Sequence, residues 1–305
     1  MKNAIGNVGF GLIGQRWALV FAHAGHDVVC YDPDSATWDR FKVQRAALEA
    51  DLIALNGAPA RLGDITFSTD LGALREVGFV QENGPEDLGL KQTLLAGIED
   101  NVNDDVIIAS SSSALAVTQM QLNCRVPGRV VLGHPFNPVH LMLLVEIVGG
   151  EQTDPDTIER ARRFYQTIGK EPVVLNREVT GHIALRLMGA MWREAIAMIR
   201  DDVASAEDID RAFIYGPGVK WTLQGSFISN HLGADGMEEF LKKYGTTYQD
   251  IWNDLGTACL DDDTRARVVQ STNGAVNARS PDALRTQRDA GLVAMLGVVR
   301  DHGAL

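Results

Sequence analysis

The chain has few cysteines, no long apolar run and no excess of positive charge. Its three cysteines in 305 residues, Cys30, Cys124 and Cys259, are scattered and odd in number. They form no disulfide framework, and no metal-ligand spacing accompanies them, so no metal is expected. The run Gly291–Val299 falls well short of the ~20 residues a membrane-spanning helix needs. A net charge of −12 disfavours nucleic acid and anionic membranes as partners. Nothing near the N-terminus reads as a signal peptide, because fold-forming sequence starts within the first few residues, and a cytoplasmic location is expected. Internal repeats, low-complexity segments and long linkers are also missing.

What is present suits a two-domain chain with real cores, since 45% of residues are hydrophobic. Strand and helix signals alternate through the first half. Strand candidates are Ala4–Val8, Val28–Tyr31, Ile65–Ser68, Gly78–Gln81, Val106–Ala109, Val130–Gly133, Leu144–Val148 and Pro172–Leu175. Helices are expected over Gln15–His23, Ala36–Leu55, Leu90–Ile98 and Asp154–Ile168. This alternation predicts an α/β fold of the Rossmann type, a doubly wound and mostly parallel sheet. From Gly181 the pattern turns helical, with Ile183, Leu187, Ala190, Met191 and Ala195 at helical spacing and Trp192 flanking them. The expected domains are therefore 1–178, binding a dinucleotide, and 179–305, all-helical.

The dinucleotide assignment rests on Gly9-Phe10-Gly11-Leu12-Ile13-Gly14, which follows the first strand and opens the first helix. The first glycine allows a tight turn and the second lets the backbone approach a pyrophosphate. The third lets the helix pack close to the strand, with its N-terminus facing the phosphates. Gly25 is placed to end that helix. Asp32 ends the second strand and can accept hydrogen bonds from a ribose. Strand, glycines, helix, strand and acid in this order make a strong signal. Gly9, Gly11, Leu12, Ile13, Gly14 and Asp32 form the expected cofactor set, together with Glu82 and Asn137. Asp32 and Asp34 would repel a 2′-phosphate, so the expected cofactor is NAD.

A second constellation lies downstream. Ser110–Ser113 follows a strand, His134 opens HPFNP, and Glu146 comes twelve residues later. Histidine titrates near working pH, at about 6.5 when unperturbed. His134 can take the proton of a secondary alcohol while hydride leaves the carbon, with Glu146 fixing the ring and Ser113 holding the substrate oxygen. Ligands in open α/β sheets bind outside the carboxyl ends of the strands. The serine run and His134 both fall there, and the helical domain is expected to close the pocket.

The serine run, GHPFNP with its downstream LVE, GHIALRL and EDIDRAFIYGPG occur in order over nearly the whole chain. In these segments it resembles the L-3-hydroxyacyl-CoA dehydrogenase superfamily. The resemblance implies Ser113, His134 and Glu146 as the catalytic set and Asn137 near substrate and nicotinamide. It also implies a homodimer formed through the C-terminal domain. GQRWALVFAHAGHDVVCYDP, MWREA, YGPGVKWTLQGSF, HLGADGMEEF and QRDAGLVAML are closer to the branch of carnitine dehydrogenase and the gulonate dehydrogenase related to lambda-crystallin. That branch acts on small free hydroxy acids. In agreement, Lys42 is the only lysine between Asp32 and Gly63, where CoA enzymes carry a lysine-rich insertion. One departure stands out: Leu185 occupies the place of the family's active-site asparagine. Lys220 is a candidate for a substrate carboxylate, as is Arg186. Tyr215, Trp221 and Phe227 offer aromatic faces for a trimethylammonium group, or simply packing surface. The expected reaction is NAD-dependent interconversion of a small L-3-hydroxy acid and its keto acid. Rival readings are a 3-hydroxyacyl-CoA dehydrogenase, a ketone or imine reductase retuned at Leu185, and an NAD-binding protein without turnover.

Overall fold

Eight short runs, each holding Val or Ile, pair into one sheet. They are β1 (Ile5–Val8), β2 (Val28–Tyr31), β3 (Ile65–Ser68), β4 (Phe79–Glu82), β5 (Ile107–Ser110), β6 (Val130–Pro135), β7 (Leu144–Gly149) and β8 (Glu171–Val174). The order is β3-β2-β1-β4-β5-β6-β7-β8. Every pairing is parallel except β6 with β7. The computed structural model describes residues 4–303. It divides into two units, Met1–Leu185 and Arg186–Leu305. The first unit thus runs past the expected boundary at 178. Val179 packs against a core cluster of the sheet and His182 is buried there, which keeps the connecting segment with the first unit.

Sequence neighbours on the strands fall into different core clusters. Phe79, Ile107, Val131 and Ile147 join one, and Val80, Ile108, Leu132 and Val148 join the other. Successive strand side chains point to opposite faces, so both faces of this sheet are covered, as the parallel arrangement requires. The helices of the first unit are α1 (Leu12–His23), α2 (Ala36–Asn56), α3 (Leu88–Glu99), the single turn α4 (Val117–Met120) and α5 (Pro155–Thr167). On α1, Gly14, Trp17, Ala18 and Phe21 recur at helical spacing and are buried. Trp17 stacks on Phe21 with centroids 5.1 Å apart and also touches Tyr165. Truncating such a side chain to alanine typically costs about 3–5 kcal/mol.

Three expected boundaries shift in ways that matter. The first helix begins at Leu12 rather than Gln15, inside the glycine motif. Ser110 lies within β5 and His134 within β6, each one residue past the expected strand end, and both are buried.

The second unit is helical: α6 (Ala184–Arg200, beginning at the end of the first unit), α7 (Ala206–Phe213), α8 (Val219–His231), α9 (Met237–Asp254), α10 (Asp262–Val276) and α11 (Pro281–His302). Ser205, Asp261 and Ser280 cap α7, α10 and α11 by accepting from backbone amides three residues on. Gly225 breaks the helical geometry of α8 with φ +70°. Among the described residues, no helix is long and apolar enough to cross a membrane.

Candidate active site

All six strands from β1 to β6 run the same way, so their carboxyl ends share one edge of the sheet. Chain order reverses around β1, which is flanked by β2 and β4. The glycine turn follows β1 at that switch point, where open α/β sheets bind ligands. A Cβ on Gly9 would sit 2.7 Å from the Asn83 backbone, and Gly9 has φ +83°. A Cβ on Gly14 would sit 1.9 Å from the Gly9 carbonyl oxygen. Gly11, by contrast, has nothing within 4 Å of that position. Gly11 also precedes α1 without any side-chain cap. Open space and uncapped amides at a helix N-terminus fit a pyrophosphate.

Asp32 accepts hydrogen bonds from the Phe10 amide at 2.7 Å and the Asp34 amide at 2.9 Å. One carboxylate thus braces the glycine turn against the end of β2, and each oxygen keeps a lone pair for a ribose hydroxyl. Asp34 pairs with Arg40 at 2.9 Å, and that hydrogen bond holds its carboxyl below the usual range.

Glu82 requires a correction. Expected at the cofactor, it is fully buried at the end of β4. Both its oxygens lie 3.0 Å from Lys91 Nζ on α3, and it accepts the Ser110 hydroxyl at 2.6 Å. A buried carboxylate paired this way ties α3 to the sheet and has no surface left for a ligand. Glu86, four residues on and absent from the sequence reading, is the carboxylate that meets the serine loop. It accepts the Ser112 hydroxyl at 2.6 Å and the amides of Ser113, Ala114 and Leu115 at 3.0, 2.8 and 3.3 Å. Burial pushes its carboxyl up, but these hydrogen bonds outweigh burial and hold it below the usual range.

His134 and Glu146 are register partners across the antiparallel β6–β7 pair. Directly opposed residues present their side chains on the same face. This explains why a twelve-residue separation closes to 2.9 Å between His134 Nδ1 and Glu146 Oε2. The other ring nitrogen, Nε2, lies 3.1 Å from the Ser113 hydroxyl. Glu146 Oε1 accepts the Ile183 and Ala184 amides at 2.7 and 2.9 Å, at the start of α6. Burial raises the Glu146 carboxyl, yet the hydrogen bonds from His134, Ala184 and Ile183 prevail and hold it below the usual range. An ionised Glu146 only accepts, so His134 carries its proton on Nδ1 and turns a bare Nε2 lone pair towards Ser113.

Asn137 is exposed on the loop after β6. That loop is anchored by Lys170, whose ammonium donates to the Val139 and Met142 carbonyls at 2.5 and 2.8 Å and lies over Trp17. Burial pushes Lys170 down to about 7. Leu185 is half-buried, one residue beyond the amides that hold Glu146. Leu12 is exposed and Ile13 half-buried on the first turn of α1. Lys220 and Trp221 belong to the second unit, exposed on α8, with Phe213 against the Trp221 ring. No group of three or more His, Cys, Asp or Glu among the described residues is placed to hold a metal ion.

A doubly wound nucleotide-binding sheet with a hydroxyl–imidazole–carboxylate relay at its strand ends defines an NAD-dependent dehydrogenase acting on CH–OH groups. The chain belongs to the 3-hydroxyacyl-CoA dehydrogenase family: that family's NAD binding domain matches residues 4–179 and its C-terminal domain residues 181–266. It is 39% identical to an L-carnitine dehydrogenase of Bacillus cereus, over 99% of this chain and 94% of that one. It is 34% identical to another from Oceanobacillus iheyensis, over 97% of each. Among solved structures it is similar to 5-formyl-3-hydroxy-2-methylpyridine 4-carboxylic acid 5-dehydrogenase, an NAD+ dependent dismutase. That similarity has a TM-score of 0.87 and 27% identity, and covers 98% of this chain and 99% of that one.

Proposed function

We propose that the protein oxidises the secondary alcohol of a small free 3-hydroxy acid, carnitine-like or gulonate-like, with NAD. The observation that carries this is the relay from Ser113 Oγ through His134 to Glu146, at the strand ends beside the glycine turn. NAD, when bound, accepts hydride from the alcohol carbon. Gly9, Gly11 and Gly14 with the N-terminus of α1 would hold its pyrophosphate, and Asp32 its ribose. His134 Nε2 takes the hydroxyl proton as hydride leaves. Glu146 holds the ring and stabilises the imidazolium that forms. The Ser113 hydroxyl donates to the oxygen that becomes the ketone. Asn137 and Leu185 of the first unit are candidates for contact with the substrate; on the second, Lys220 suits a carboxylate and Trp221 a cationic head.

A free acid is favoured over a CoA thioester. Carnitine dehydrogenases match nearly end to end, and α2 with the loop after it carries only Lys42 as a lysine. We infer a homodimer through the second unit, whose surface exposes Tyr215, Phe227 and Trp252, and a cytoplasmic location.

The test is NADH formation across L-carnitine, L-gulonate, 3-hydroxybutyrate and 3-hydroxybutyryl-CoA, with NAD and NADP compared. Turnover is expected on a free acid with NAD. Turnover on the CoA ester alone overturns the reading, and so does NAD binding without turnover on any of them.

A further inference from the structure

We propose that His182 is a positioning residue of this reaction, holding the peptide group that precedes Ser113 so that the serine hydroxyl meets His134. The inference rests on the proposed relay of Ser113, His134 and Glu146, and adds a residue to it.

His182 Nε2 lies 3.2 Å from the Ser112 carbonyl oxygen. A carbonyl only accepts, so Nε2 carries the ring proton and Nδ1 the bare lone pair. Nδ1 is buried without a hydrogen-bond partner. The same peptide unit has its N–H, that of Ser113, bonded to Glu86 at 3.0 Å. Both ends of one peptide plane are therefore fixed, the carbonyl by His182 and the amide by Glu86. That plane leads into the Ser113 Cα, and Glu86 also holds the amide beyond it, that of Ala114, at 2.8 Å, so the backbone is fixed on both sides and side-chain rotation is the main freedom left to the hydroxyl. The 3.1 Å approach to His134 follows from this constraint.

The segment that carries His182 does a second job. Ile183 and Ala184, the next two residues, donate their amides to Glu146. One short stretch thus secures the serine and the carboxylate at opposite ends of the relay. Gly181 and His182 both have positive φ, at +76° and +51°. For histidine this backbone is unfavourable, and strain of that kind persists only where the surroundings enforce it. The His182 ring is 4% exposed and packs on the His134 ring at 4.9 Å. Charged or titratable neighbours are His134, Glu146 and Glu86. Burial dominates over them and pushes the His182 ring down, favouring the neutral form. A neutral ring beside His134 leaves room for one imidazolium, the one that catalysis forms.

The experiment compares His182→Phe, His182→Gln and each in a Ser113→Ala background. His182→Phe keeps the ring volume but cannot donate. It should lower kcat about tenfold, the scale of one hydrogen bond, with KM for NAD unchanged. His182→Gln, which can still donate to the Ser112 carbonyl, should recover most of that loss. Once Ser113 is alanine, His182→Phe should cost little more. A tenfold loss that persists unchanged in the Ser113→Ala background overturns the proposal, and so does an unchanged kcat in His182→Phe. If His182→Phe does not fold, nitrogen NMR of the wild-type ring decides. A neutral Nε2–H tautomer supports the proposal, and an Nδ1–H tautomer or a ring protonated at pH 7 ends it. Failure of the underlying relay reads differently: His134→Gln would then keep wild-type turnover whatever His182 does.

Discussion

The two units of this chain bury their side chains differently. Every one of the largest fully buried side chains, from Phe10 to Tyr165, lies in the first unit. Of the second unit's apolar residues, only Ile196, Ala197 and Phe240 are buried among the described residues. Its exposed set includes Leu187, Met191, Tyr215, Phe227 and Trp252. The first unit completes its own core and places polar groups at one edge of the sheet. The second leaves large apolar side chains uncovered, and exposed patches of that kind mark interaction surfaces. On the proposed reading, proton transfer falls to the first unit and assembly to the second, and substitutions in each should report different quantities.

The largest effect should come from His134→Gln, which removes the proton acceptor and leaves the glycine turn untouched. Turnover should fall roughly 10²–10⁴-fold, the range of general acid–base catalysis. NADH binding, read by fluorescence titration, should change less than twofold. Glu146→Gln should cost about 10²-fold, in the lower part of the same range. Replacing the carboxylate removes the charge that stabilises the imidazolium, so the acid limb of the kcat/KM profile should move to lower pH. There is also a stability signature. Glu146 is held below its ordinary range, so its contribution is present above the unfolded-state value and lost as pH falls through the folded one. Wild type and Glu146→Gln should therefore converge in thermal stability on acidification from pH 6 to 3. Divergence there would mean that Glu146 is not anionic in the fold.

A substitution in the second unit should do the opposite. Phe227 is 80% exposed on α8. Phe227→Glu should weaken the proposed dimer about 30-fold or more, the loss expected for an interface hot spot. Sedimentation across a concentration series reads this directly. A dimer of unchanged affinity with a raised KM would move Phe227 from assembly to substrate binding. Asp32→Ala tests the cofactor edge. Losing one charge-assisted contact should weaken NAD about tenfold and narrow the gap to NADP. Equal efficiency of wild type with both cofactors would break the assignment before the variant is made.

Local signals carried far in this sequence. The glycine turn, the strand–helix alternation and the His134–Glu146 spacing all rest on short-range pattern, and strand register converts that spacing into a contact. Polar side chains that close over long separations were not legible. Nothing periodic links Glu86 to the serine loop, or Glu82 to Lys91 and Ser110. Glu82 ends β4 and Glu86 lies four residues on in the loop after it, and only tertiary placement separates the buried brace from the carboxylate facing the serine loop. The turn to a helical pattern near Gly181 was legible, and the family's two domains meet there, at residues 179 and 181; burial of His182 keeps the segment up to Leu185 with the sheet.

The smallest effect is expected at Leu185, where the sequence departs from its family's pattern. Leu185 is the second residue of α6, one position after the Ala184 amide that holds Glu146. On the proposed reading, Leu185→Asn restores a hydrogen-bonding amide to the pocket. A gained bond of this kind is worth about 0.5–1.5 kcal/mol, or a few-fold in rate. Efficiency towards hydroxy acids should rise by that factor. Efficiency towards bulkier apolar ketones should fall, because a half-buried amide replaces leucine's methyl groups. The measurement is kcat/KM for one hydroxy acid and one apolar ketone in wild type and variant. If the ratio between the two substrates stays fixed, Leu185 packs the start of the helix and does not select substrate.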